Sequence, residues 1–127
     1  MKLLFLIIPL FLFACSDTQD LAAQESEKKT IDKLKLEIVS LVESANCSED
    51  NNCNFVGLGS KPCGGHWEFI VYSSSIDTVK LLTMVEDYNR MEKEFNQKWE
   101  VISDCSFVVA PDSVICKDGK CKAVYSN

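Results

Sequence analysis

The chain has 127 residues, a formal net charge of −6 and seven cysteines. That length supports one domain. The acidity argues against nucleic acid, whose binding needs a cationic face, and against electrostatic docking on anionic headgroups.

Residues 1–14 hold one basic residue, Lys2, an apolar run from Leu3 to Phe13, and then Ala14. The run is too short for a bilayer, which needs roughly 20 residues, and reads as a secretory signal peptide. Cys15 follows directly, and Leu12-Phe13-Ala14-Cys15 resembles the lipobox of bacterial lipoproteins. The resemblance implies cleavage before Cys15 and acylation of that cysteine, with palmitate as one of the chains. Ser16, next in line, resembles the class sorted to the outer membrane. The expected location is the bacterial cell envelope, on the periplasmic or surface face, with the lipid bilayer as one partner. Loss of Lys2 with the leader moves the balance to −7. Several acyl chains hold a protein stably without help from charge.

Six cysteines follow the anchor: Cys47, Cys53, Cys63, Cys105, Cys116 and Cys121. An even number in an exported chain makes three disulfides the expectation. Each typically contributes about 2–4 kcal/mol, a large share of the roughly 5–15 kcal/mol that holds a domain together.

Residues 15–27 are polar and acidic without an apolar period, and read as a lipidated flexible tether. The folded domain is expected over 28–127. Ile31, Leu34, Ile38, Leu41 and Ala45 recur at helical spacing and predict a helix over 28–46, with Thr30 as a candidate N-cap. Residues 48–52 are a polar turn, which a Cys47–Cys53 bridge would close. Residues 54–58 read as a short strand. Gly59 to His66 contains Pro62 and Gly64-Gly65 and cannot be regular. Trp67 to Tyr72 alternates as a strand. Ser74 with Asp77 resembles a capping box. Leu81, Met84, Val85, Tyr88, Met91, Phe95 and Trp99 then predict a helix of about 20 residues. Val101 to Ser103 returns to the sheet, and Cys105 to Ala110 is expected as a strand. Ser113–Lys117 and Lys120–Tyr125 flank Asp118-Gly119, the signature of a two-residue type I′ hairpin. That register sets Cys116 opposite Cys121, close enough for a bridge, and leaves Cys63 for Cys105. Six cysteines allow 15 pairings, of which this is one. The expected fold class is α+β: an antiparallel sheet of four or five short strands, two helices on one face, and three disulfides.

His66 is the single histidine. The cysteines lack C-x₂-C spacing and oxidation consumes them, so no zinc or other metal is expected, nor a thiol nucleophile. Ser73-Ser74-Ser75 has no nucleophile-elbow context. Glu68, Glu86, Asp87, Glu92, Glu94 and Asp104 read as a solvated face and not as a catalytic pair. The expectation is no enzyme and no cofactor. Loop 57–67 stands out because Lys61, His66 and Trp67 lie on a glycine-rich stretch that Cys63 would tie down. Stiff loops lose little entropy on binding, so these three are the candidate binding residues. Lys61 beside a bridged cysteine also resembles the exposed loops of small protease inhibitors. The plainer alternative is that Gly64-Gly65 only lets backbone pass close to a disulfide.

From residue 47 to 122 the chain resembles a family of small, uncharacterised, secreted, cysteine-rich bacterial proteins. The residues that carry the likeness are Lys61-Pro62-Cys63-Gly64-Gly65, Trp67, Tyr72-Ser73-Ser74, Tyr88-Asn89, Ser103-Asp104-Cys105 and Cys116-Lys117-Asp118-Gly119-Lys120-Cys121. It implies a folded, bridged domain and carries no activity with it. Together these readings give a membrane-anchored, non-enzymatic envelope lipoprotein that binds a protein partner or serves as a structural module. The alternative is a protease-inhibitor or immunity-type protein that acts through loop 57–67.

Overall fold

The computed structural model describes residues 17–126. The expected leader 1–14, the expected lipidation site Cys15, and Ser16 lie outside the described residues.

Helix α1 spans Asp17–Glu43, so it begins within the segment expected as a tether. Residues 17–27 are rich in Ala, Gln and Glu, which favour helix, and Asp20 sits in the first turn, where the helix dipole favours negative charge. This first stretch is mostly exposed. It therefore needs no apolar stripe, and the periodicity that marked 28–46 could not reveal it. Thr30 is not a cap: its hydroxyl donates to the Ser26 carbonyl one turn back.

Helix α2 spans Thr78–Lys98 and runs antiparallel to α1. Glu27 meets Lys98 and the Trp99 indole at one end, while Leu41 lies near Met84 at the other. The cap of α2 is Asp77, whose carboxylate accepts from the Lys80 N–H. Ser74, the expected cap, is outside the helix. Ser73 and Ser75 instead donate to the Asn46 carbonyl.

The expected single sheet is two separate antiparallel hairpins. Strand β1, Cys53–Leu58, pairs with β2, Glu68–Ser73, with Val56 opposite Ile70 and Gly57 opposite Phe69. Strand β3, Ser113–Lys117, pairs with β4, Lys120–Val124. Asp118 and Gly119 both have positive φ, 53° and 74°, as a type I′ turn demands. Cys116 faces Cys121 as the turn chemistry requires. The apolar core lies between the helices and one face of β1–β2. It contains Ile31, Ile38, Leu58, Tyr72, Leu81, Val85, Tyr88 and Phe95.

Three disulfides form, but two pairings differ from expectation: Cys47–Cys116 and Cys53–Cys121 replace Cys47–Cys53 and Cys116–Cys121. The loop before β1 lies against the β3–β4 turn. Cys47 N–H donates to the Gly119 carbonyl at 2.9 Å, and Cys116 N–H to the Asp50 carboxylate at 2.7 Å. This docking brings the sulfurs of Cys47, Cys53 and Cys121 within 4.8 Å of one another. The bridges therefore join the hairpins instead of closing short loops. Cys63–Cys105 forms as expected.

Residues 101–111 make no strand. They leave the end of α2, cross the surface past Cys63 and Lys61, and reach β3 at the buried Pro111 without regular structure. Among the described residues no neighbouring strand lies alongside, and strand propensity alone cannot make a ladder.

Candidate functional site

Two segments meet around Cys63–Cys105: the glycine-rich loop after β1 and the strap 101–111. Helix α2 shapes the first. Asn89, Glu92 and Asn96 recur at helical spacing and grip the backbone as it leaves β1. Asn89 accepts from Gly59 N–H at 2.6 Å and donates to the Gly57 carbonyl at 3.2 Å. Glu92 accepts from Ser60 N–H at 2.6 Å, and Asn96 donates to the Ser60 carbonyl at 2.6 Å. Gly59 has a φ of 89°, and a Cβ there would lie 2.6 Å from the Trp67 ring. Only glycine allows both the turn and that approach.

The loop closes on itself where Lys61 N–H donates to the Gly65 carbonyl and Gly64 N–H to the Lys61 carbonyl. Gly64 and Gly65 have φ values of 96° and 83°, yet a Cβ on either would meet nothing within 4 Å. Their role is the left-handed turn. They are not there to pass backbone close to the disulfide.

The three candidate binding residues divide. Lys61 is not presented: its side chain is only 4% exposed. Its ammonium donates to the Ser106 carbonyl at 2.6 Å and hydroxyl at 3.0 Å, lies 3.6 Å from the Asp104 carboxylate, and stands 4.9 Å from the Trp67 ring centre. A buried charge costs several kcal/mol unless it is paired and hydrogen-bonded, and here four partners surround it. Lys61 thus fastens loop to strap beside the disulfide. Asp104 is itself held below the usual carboxylate value, first by the Ser106 N–H, then by the Ser106 hydroxyl, with Lys61 adding less.

His66 folds back over the outer face of the β1–β2 hairpin. Its Nδ1 lies 2.9 Å from the Gly59 carbonyl, so this nitrogen carries the proton. The ring meets Phe69 edge-on at 5.7 Å, and a Cβ on Gly57 would sit 2.1 Å from it. Trp67 stays partly exposed beside Lys61. A depression of about 780 Å³ opens between this loop and α2, with Gly64, Gly65, His66, Arg90 and Lys93 on its walls. Arg90 is already paired with Asp87 and Glu94.

The strap presents what the loop does not. Ile102 is 91% exposed, Phe107 88% and Val109 60%. Residues 105–110 read as a strand from their composition, but their exposure could not be read there, because it depends on the absence of a neighbour. The six cysteines from Cys47 to Cys121 are oxidised in pairs.

No protein-family model, curated protein or solved structure matches this chain. The functional reading accordingly rests on the strap and its fastening.

Proposed function

We propose that the chain is a bacterial envelope lipoprotein, held by acyl chains on Cys15, that works without catalysis as a protein-binding module. The observation supporting the binding role is the strap: Ile102, Phe107 and Val109 stand in water on a segment fixed by Cys63–Cys105 and by Lys61. Exposed apolar side chains grouped on one element mark an interaction surface, and a pre-fixed segment loses little entropy on binding. Three disulfides support an oxidising compartment. Among the described residues no helix is long and apolar enough to cross a membrane, and attachment is assigned to the lipobox-like cysteine. The inhibitor or immunity reading asked loop 57–67 to present Lys61, and the enclosure of that ammonium counts against it.

The test has two arms. Mass spectrometry of the mature protein should find an acylated N-terminal Cys15, and an unmodified N-terminus would remove the anchor. Crosslinking in envelopes should capture the same partner with the native chain and with His66→Ala, and lose it with Phe107→Asp plus Val109→Asp. Equal capture by the strap variant would remove the strap from the account.

A further inference from the structure

We propose that Cys63–Cys105 is a thiol-exchange site: a small thiol opens this bridge alone, joining Cys105 and releasing Cys63. The inference stands on the bridge and its surroundings, and does not need the strap to bind a partner.

The three bridges differ in access. Cys63 and Cys105 are both exposed. Each of the other bridges has a buried end, Cys47 at 9% exposure and Cys53 at 5%, and their partners Cys116 and Cys121 are only half-exposed. Exchange begins when a thiolate reaches one of the two sulfurs, so access governs its rate, and exposed bridges are the labile ones.

The backbone favours opening and return. Cys105 has a φ of 54°, a left-handed angle that residues with a β-carbon rarely adopt. Opening the bridge frees Cys105 to leave that angle. The strap stays in place on either side of it. Val101 N–H donates to the Asn96 carbonyl at 3.0 Å, and Ser106 is held through its carbonyl and hydroxyl by Lys61. The two sulfurs therefore remain near enough to rejoin when the thiol is withdrawn.

Ser103 sets which sulfur leaves. Its hydroxyl donates to Cys63 Sγ at 3.6 Å. Cys105 Sγ instead lies 3.7 Å from the Ser103 carbonyl oxygen. Negative charge is thus met by a donor on Cys63 and by a lone pair on Cys105, and the sulfur that better carries the charge leaves faster. The incoming thiolate attacks Cys105 Sγ. A new S–S bond forms there as the old one breaks, and the electron pair of the broken bond goes to Cys63. Cys63 keeps it as a thiolate beside the Ser103 hydroxyl or takes a proton from water. A second thiol that attacks the adduct releases the Cys105 thiol, so full reduction of the bridge oxidises two small thiols to one disulfide.

The probe is 2-mercaptoethanol, added in steps to the oxidised chain without denaturant. Acid quenching, N-ethylmaleimide and peptide mapping by mass spectrometry then locate adducts and free thiols. Cys63–Cys105 should open at least about tenfold faster than the other two bridges, with near-ultraviolet circular dichroism retained. At low thiol the mercaptoethanol adduct should sit on Cys105 and N-ethylmaleimide on Cys63, and dialysis should restore the bridge. The adduct on Cys105 should exceed that on Cys63 by about threefold or more, as befits the weak hydrogen bond a sulfur accepts. Ser103→Ala should bring that ratio close to one, and Ser103→Thr, which keeps the donor, should restore it. A merely structural serine would leave the ratio unmoved. Earlier or simultaneous opening of another bridge, an even or reversed distribution of the adduct in the native chain, or an unchanged ratio in Ser103→Ala would each overturn the proposal.

Discussion

Lys61 decides whether the glycine-rich loop presents a cation or is fastened by one, and its substitution separates the two. Lys61→Met keeps the length of the stem against Trp67 but removes the ammonium. Two charge-assisted hydrogen bonds to Ser106 are lost, each worth about 1.5–3 kcal/mol. The contact with the Trp67 ring adds about 1 kcal/mol. Against this, the enclosed charge no longer has to be desolvated, and water reaches Ser106, which is exposed. The net expectation is about 2 kcal/mol for Lys61→Met. Lys61→Ala also loses burial of the stem, at about 0.8 kcal/mol per methylene, and should cost about 3 kcal/mol or more. For a domain of this size that lowers the melting temperature by roughly 8–15 °C. Urea unfolding under oxidising conditions, followed by tryptophan fluorescence, should show a lower midpoint with an unchanged slope. Hydrogen exchange should quicken at Ser106 and its neighbours first. A surface lysine at the same position would change stability by less than about 0.5 kcal/mol. A result that small for Lys61→Ala would refute the fastening and return the residue to the role of a presented cation.

Three other predictions test separate parts of the structure. Gly57→Ala should displace the His66 ring and cost about 1–3 kcal/mol in thermal melts, and adding His66→Ala should restore most of it. Gly64→Ala, with open space around it, should cost only the left-handed backbone, about 1 kcal/mol. Digestion without reduction, cutting after Glu49 and after Lys117 and Lys120, should leave Cys47 joined to Cys116 and Cys53 joined to Cys121. Recovery of Cys47–Cys53 would contradict the docking of the hairpins. Glu27, Asp104 and Asp112 all have folded values below their ordinary ones; the largest cause is Lys98 for Glu27 and the Ser106 and Ser126 N–H groups for the other two. Their contribution is present above the unfolded carboxylate range and is lost as pH falls through the folded values. Melting temperature should therefore fall on acidification below about pH 4, and less steeply in Asp104→Asn.

Features set by neighbours in sequence were legible, and features set by neighbours in space were not. Asp118-Gly119 dictates its own backbone angles, so the β3–β4 register could be read outright. The stripe Leu81, Val85, Tyr88 and Phe95 needs only its own period to mark α2. The cysteines show the limit. A reading by proximity joins Cys47 to Cys53, six residues apart, whereas the observed bridges span 69 and 68 residues. A chain-entropy model gives about 4 kcal/mol for closing a loop that long and about 2 for the short one, so the longer pairing also constrains the unfolded chain more. Lys61 illustrates the same divide. Lysine is almost never buried unless paired, and its partner here, Ser106, lies 45 residues away. Composition marked residues 105–110 as a strand, and the structure forms none there. Composition could not supply a partner, and none of the described strands lies beside this segment. The segment has a fixed end at Cys105 and two exposed apolar side chains, Phe107 and Val109, and its backbone is left to water. Those exposed side chains, set against the enclosed Lys61, are why the strap and not the glycine-rich loop is assigned the binding role.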